Sequence, residues 1–119
     1  MASDCLFCKI IAGEIPSEQV LSSEKAVAFR DIDAQAPTHV LVVPRVHIDS
    51  ADELESGDEA EIGALMSLAR EVAHAEGLSP KSGGGGYRLV FNVGEDALNS
   101  VPHLHLHVLG GRKFEWPPG

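Results

Sequence analysis

At 119 residues, 44% of them hydrophobic, the chain has the size of one compact domain and enough apolar side chains for a single core. Its formal net charge of −9 excludes a nucleic-acid binder that works by neutralising phosphates, but leaves room for a small phosphate-bearing ligand held by a few local donors. No run approaches the roughly 18 apolar residues of a membrane span. The N-terminal stretch lacks the basic region and long apolar core of a secretory leader, and two cysteines make no disulfide framework, so a soluble cytoplasmic protein without membrane contacts is expected.

In chain order, "KAVAFRD" (Lys25 to Asp31) and "THVLVVP" (Thr38 to Pro44) predict two short strands, joined by turn chemistry as a hairpin. From Ser56 the period changes. Ile62, Leu65, Met66, Ala69, Val72 and Ala73 fall on one face of a helix, with Ser56 and Glu59 as a capping box and Gly77 just past its end. "SGGGG" (Ser82 to Gly86) lacks the Gly-Lys-Ser/Thr ending of a phosphate-cradling loop and reads as a flexible connection. "YRLVFNV" (Tyr87 to Val93) and "HLHLHVL" (His103 to Leu109) predict two further strands around a polar loop. The pattern is α+β, an antiparallel sheet of about five strands with one long helix on a face.

On the last strand His103, His105 and His107 share one face, and Leu104, Leu106 and Val108 the other. The outer two imidazoles stand about 13 Å apart at the backbone, too far to share one zinc with bonds of about 2 Å. Three readings stay open: a polar sheet face, a His-x-His metal site, or nucleophilic catalysis by the middle imidazole. Imidazole suits the last because its neutral form is abundant near pH 7, and one nitrogen attacks while the other is held. Attack on phosphorus needs donors around the phosphate, and the preceding loop offers Asn99, Ser100 and backbone N–H groups. The pair Cys5 and Cys8 lies too near the start of the chain for a thioredoxin-type site, which would follow a strand; it reads as two buried cysteines or as half of a zinc set.

The row "HLHLHVL", together with "CLFCKIIAGEIPS", "AFRDIDAQAPTHVLVVPRVHI" and the ending "WPPG", resembles the histidine-triad (HIT) superfamily over nearly the whole chain, and within it the Hint branch of nucleotide-binding proteins. The resemblance implies one HIT domain over residues 1–119, a homodimer with a continuous sheet, and hydrolysis of purine nucleoside phosphoramidates, with AMP or GMP as bound nucleotides. It implies His105 as nucleophile, oriented by the backbone carbonyl of His103, with His107 and Ser100 at the phosphate or leaving group and His39 assisting the proton. It places Asp31 on the ribose, Asn92 and Asn99 with the nucleotide, and Leu6, Phe7, Ile10 and Ile15 around the base. Trp116 lies in a tail that reaches towards the partner's site. Taken alone, His39 reads as a half-buried strand residue, Asp31 as a turn initiator and the four apolar residues as core. Relatives that begin with the Cys-x-x-Cys pattern bind structural zinc, which implies Cys5, Cys8, His47 and His103 as ligands. Leu98 and Asn99 stand where the Hint branch commonly has glycine and glutamine. A dinucleoside polyphosphate hydrolase is disfavoured by the short chain and the WPPG ending. A nucleotide-binding regulatory module, in which hydrolysis is incidental, and a metal-dependent hydrolase are the other readings.

Overall fold

The computed structural model describes residues 4–119. Its elements are α1 (Leu6–Ile11), β1 (Gln19–Ser22), β2 (Ala26–Arg30), β3 (Thr38–Pro44), α2 (Glu59–Ala75), β4 (Tyr87–Phe91) and β5 (Leu106–Gly110). The five strands form one antiparallel sheet in the order β1-β2-β3-β5-β4. The expected hairpin is there, with Phe29 opposite Leu41.

Period-two alternation sorts the sheet into two faces. Ala28, Val42, Leu106 and Phe91 stand in register across it on one side, and α2 packs Leu65, Leu68, Ala69, Val72 and Ala73 onto that side. Each large side chain so buried contributes about 1.5–3 kcal/mol. Phe29, Leu41, His107 and Val90 form the matching row on the other side, where Phe7 and Ile10 of α1 join Val27, Phe29, Leu41 and Val43 in a smaller apolar cluster. A five-strand sheet with one main helix therefore carries two unequal cores.

Several local expectations change. Met66 is 43% exposed and Leu68 takes its place in the core, because the buried stripe of α2 runs 65-68-69-72-73. The capping box belongs to Glu55 and Asp58 rather than Ser56 and Glu59; the Glu55 N–H donates to Asp58 Oδ2 at 3.0 Å and closes a 3-10 turn that leads into the helix. Gly77 ends α2 as expected, at φ +74, with the Leu78 N–H donating to Ala73 and the Gly77 N–H to His74. Arg30 holds both carboxylate oxygens of Glu76 at 2.8 and 3.1 Å, offsetting a negative charge at the helix's negative end. Strand β4 stops at Phe91. Strand β5 starts at Leu106, three residues later than expected. The register would next set Leu104 against Pro44, which has no N–H for the Leu104 carbonyl and whose own carbonyl is taken by the His103 ring at 3.0 Å. The Leu104 N–H donates to the Ile48 carbonyl at 2.6 Å. Helix α1 and strand β1 are too short to have shown a period.

The glycine run is not uniformly free. The N–H groups of Gly84 and Gly86 donate to Ser79 and Leu78, each at 2.8 Å, and a Cβ on Gly84 would stand 2.4 Å from the carbonyl oxygen of Gly77. A Cβ on Gly85 would meet nothing within 4 Å. Gly84→Ala is expected to cost about 1–3 kcal/mol, seen as a fall in melting temperature of roughly 4–12 °C, while Gly85→Ala leaves it nearly unchanged. Thermal unfolding of the two variants side by side checks this.

Candidate active site

The histidine row enters β5 from the loop that ends at Ser100. His105 stands with Nδ1 at 2.7 Å from the His103 carbonyl. A carbonyl only accepts, so Nδ1 carries the proton and Nε2 of the neutral ring keeps its lone pair. Two residues on, His107 lies between His39 and Asn92, with Nδ1 at 2.9 Å from His39 Nε2 and Nε2 at 3.5 Å from the Asn92 amide nitrogen. The tautomers follow from one fixed donor. The backbone N–H of Gln35 donates to His39 Nδ1 at 3.0 Å, so the proton of neutral His39 sits on Nε2. That proton goes to His107 Nδ1 at 2.9 Å, and the Asp31 carboxylate lies 3.3 Å from the same His39 nitrogen as a neighbouring charge. His107 is left with its own proton on Nε2, which the Asn92 amide meets with its oxygen, turned so that two N–H groups do not face each other. The pair His105 and His107, with ring centroids 5.0 Å apart, thus offers a bare nitrogen beside an N–H.

Burial, helped by the neighbouring imidazoles of His105 and His39, pushes His107 down to about 4. Burial also lowers His39, against the opposing charges of Asp31 and Asp33. Both rings are neutral at pH 7, as the tautomer argument requires.

A cavity of about 360 Å3 opens over these rings, within the size range of small-molecule sites. Leu6, Phe7, Ile10 and Ile15 line one part of it, and Asp31, Asn92, Ser100, His105 and His107 lie on its wall. His39 reaches it only through His107, and Asn99 is not on its wall. Phe29, Ile32 and Leu41 are among the further lining residues and were missed in the sequence. Pairing the two hairpin strands and setting Leu41 opposite His107 would have found the first and last. Leu98, at φ +62, is the one non-glycine residue with positive φ among the described residues; its side chain is 83% exposed at the cavity mouth.

His103 departs from the expectation of a cleft-facing ring: it is wholly buried, edge-on to Phe7 and His47. Its Nε2 donates to the Pro44 carbonyl at 3.0 Å, and His47 Nε2 donates to Asp49 at 2.6 Å. Both rings therefore turn a bare Nδ1 towards the cysteines, at 3.4 Å from Cys5 Sγ and 3.3 Å from Cys8 Sγ respectively. A tetrahedral zinc with bonds of 2.0–2.3 Å needs donors roughly 3.5 Å apart, each histidine held through its other nitrogen. The four residues fit such an ion on both counts. Burial and the adjoining Cys5 sulfur push the Cys8 thiol up to about 11, so without a cation there it stays protonated. The other His/carboxylate cluster, Asp31, His39 and His107, does not fit a metal, because the Gln35 N–H donates to His39 Nδ1 and so puts that ring's proton on Nε2, the nitrogen that faces the cluster.

Alternating imidazoles entering the inner strand of such a sheet, beneath a ligand-sized cavity, define the histidine-triad class. The HIT domain family model matches residues 12–114, and the chain belongs to that family. A 14 kDa zinc-binding protein from Zea mays is 47% identical over 98% of this chain and 89% of its own length. Among solved structures, a HIT family hydrolase from Legionella pneumophila superposes with a TM-score of 0.90 at 47% identity, covering 97% of this chain and 99% of that one. A HIT family hydrolase from Clostridium thermocellum follows at 0.88 and 37%, covering 95% of each.

The depressed His107 fixes a sign for acid sensitivity. Its folded value of about 4 lies below the usual 6.5, so the unfolded chain binds the extra proton more readily between those limits. Stability is full above pH 6.5 and falls as pH drops towards 4, by on the order of 3 kcal/mol from this group at about 1.4 kcal/mol per unit. Melting temperatures across that window should drop steeply in the unmutated protein and less steeply in His107→Gln.

Proposed function

We propose that the protein is a hydrolase of purine nucleoside 5′-phosphoramidates, working through a nucleotidyl-histidine intermediate on His105. The observation that carries this reading is the placement of the rings at the floor of one cavity: His105 Nδ1 lies 2.7 Å from the His103 carbonyl, which leaves Nε2 bare, and the neighbouring His107 is held by His39 at 2.9 Å. The hydrolase names of the solved relatives from Legionella and Clostridium support the reaction class.

In the first half-reaction His105 Nε2 attacks phosphorus and the bond to the leaving nitrogen breaks. The amine departs with the proton from His107 Nε2, and the His39 N–H on the far side of that ring stabilises the charge that develops. In the second, water attacks phosphorus, its proton returns to His107, and the bond to His105 breaks to free the nucleoside monophosphate. One water is consumed for each P–N bond cleaved. Asn92 and Ser100 offer donors to the phosphate oxygens, Asp31 accepts from the ribose hydroxyls, and Leu6, Phe7, Ile10 and Ile15 take the base. Asn99, off the wall, donates its backbone N–H to the Gly94 carbonyl at 3.1 Å within the loop that carries Ser100.

Cys5, Cys8, His47 and His103 would hold zinc, and the zinc-binding name of the maize relative supports that choice of ion. Zinc supplies a structural cross-link there, outside the reaction. The open edge of β4, with a neighbour on one side only, supports a homodimer whose sheet continues across it. A nucleotide-binding module without turnover would use the same cavity.

The test is an adenosine 5′-phosphoramidate with a fluorogenic amine. The unmutated protein should turn it over, and His105→Ala should lose at least a thousandfold in kcat while keeping its circular dichroism spectrum and its affinity for AMP. Tight AMP binding without turnover in the unmutated protein would select the binding module instead. Leu98 adds a prediction about the leaving group, since its apolar side chain stands at the cavity mouth. Leu98→Gly should lower kcat/KM about three- to tenfold for arylalkylamine leaving groups and hardly at all for ammonia, as competition between the two substrates would reveal.

A further inference from the structure

The ligand set is open at one end only: Cys5 and His103 are buried, Cys8 is half-buried and His47 is exposed. A second cleft, of about 730 Å3, is lined by Cys5, His47, Asp49, Ser100 and Val101, and it opens broadly to solvent. It adjoins the nucleotide cavity, since Leu6, Ser100 and Val101 line both. Cys5, 6% exposed, is the cysteine on the wall of this cleft, beside the site where the phosphate would sit, and Cys8 behind it is half-buried. Cys5 caps the first turn of α1, its Sγ accepting the Cys8 N–H at 3.4 Å, so the two sulfurs lie one turn apart on the same short helix. All four donor atoms lie within 4.8 Å of one another. A disulfide between Cys5 and Cys8 then closes with a small movement inside a single turn.

We propose that Cys5 and Cys8 are a hydroperoxide-sensitive dithiol whose oxidation expels zinc and weakens nucleotide binding. This rests on the zinc reading above. The thiolate of Cys5, on the wall of the cleft, attacks the distal oxygen of the hydroperoxide; the O–O bond breaks and leaves a sulfenic acid and a hydroxide or alkoxide, which takes a proton from solvent to become water or an alcohol. The Cys8 thiolate attacks that sulfur, an S–S bond forms, and hydroxide leaves as water after taking a proton. The cysteine pair loses two electrons and the peroxide gains them. A disulfide offers zinc no thiolate, and two imidazoles alone do not retain a structural ion.

The consequence reaches the nucleotide because α1 has two duties. Its cysteines tie it to His47 and His103, and its Phe7 and Ile10 wall the cavity. Phe7 also stacks edge-on against the His105 ring, with centroids 5.1 Å apart. The disulfide is contained within α1, so it replaces neither tie. Helix α1 then rests on the sheet by apolar contact alone, and the wall it forms is less well held.

The experiment treats the full-length zinc-loaded protein with millimolar hydrogen peroxide. It follows zinc with a chromogenic chelator, thiols by alkylation, the 5–8 linkage by peptide mass and AMP affinity by calorimetry. Expected are zinc release in step with the loss of two thiols, a peptide lighter by two hydrogens, and an AMP dissociation constant raised about tenfold, all reversed by dithiothreitol with added zinc. Zinc retained with both thiols intact would overturn the switch while leaving the metal reading standing. Zinc released with AMP affinity unchanged would overturn the coupling to the cavity. A reduced, untreated protein that holds no zinc would overturn the metal reading and the switch together.

Discussion

The hydrogen bond from His105 Nδ1 to the carbonyl of His103 is the constraint on which the site depends. It fixes which nitrogen of the middle imidazole is bare, and it does so through backbone that is itself held at three points. The His103 ring donates to Pro44 and faces both cysteines, the next N–H is taken by Ile48, and Phe7 closes the remaining side. An acceptor so fully held cannot drift, and reorientation of the His105 ring would leave its N–H buried without a partner. Such an unmade bond costs about 1–3 kcal/mol, enough to keep one tautomer dominant.

The second constraint is electrostatic. Three of the rings in this region are pushed towards their neutral form, chiefly by burial. Three imidazolium ions at these separations would repel one another in a poorly solvated space. Neutrality of His39 and His107 keeps their N–H groups in a fixed order beside the nitrogen that attacks. Asp31 stands close enough to His39 to polarise it, and the burial of His39 prevails over that charge.

Much of this was legible in the sequence where a period could declare itself. The hairpin strands and the long helix showed their alternation or their 3.6-residue stripe, and the His-Leu alternation stated which side chains share a face. What was not legible depended on partners distant in the chain. Before Leu106 the ladder ends where Pro44 would lie opposite Leu104, with the Pro44 carbonyl taken by the His103 ring and the Leu104 N–H by Ile48. Leu68 replaces Met66 in the core because of how α2 lies on the sheet, a choice its own sequence leaves open. The six-residue α1 is shorter than two helical turns and shows no period; it is defined by Cys5 capping and by the packing of Phe7 and Ile10. Asp49, which orients His47, carried no signal beyond its nearness in the chain. The zinc set and the individual site positions came from family resemblance, and the geometry adds the tautomers, which no sequence displays.

The forked pairing of Arg30 with Glu76 has a reach beyond the helix end it neutralises. Arg30 also binds Glu18 through Nε, and it sits between Phe29 and Asp31, both on the cavity wall. One guanidinium therefore clamps the exit of α2, the entry to β1 and the end of β2 into a single rigid corner. Asp31 follows directly on that corner, so its backbone is anchored by the far end of a helix that lines no part of the cavity. Its carboxylate is placed locally, by the Asp33 N–H at 2.8 Å and by His39 Nε2 at 3.3 Å. Sequence changes along α2 can then alter how sharply a sugar is gripped without altering any residue that grips it.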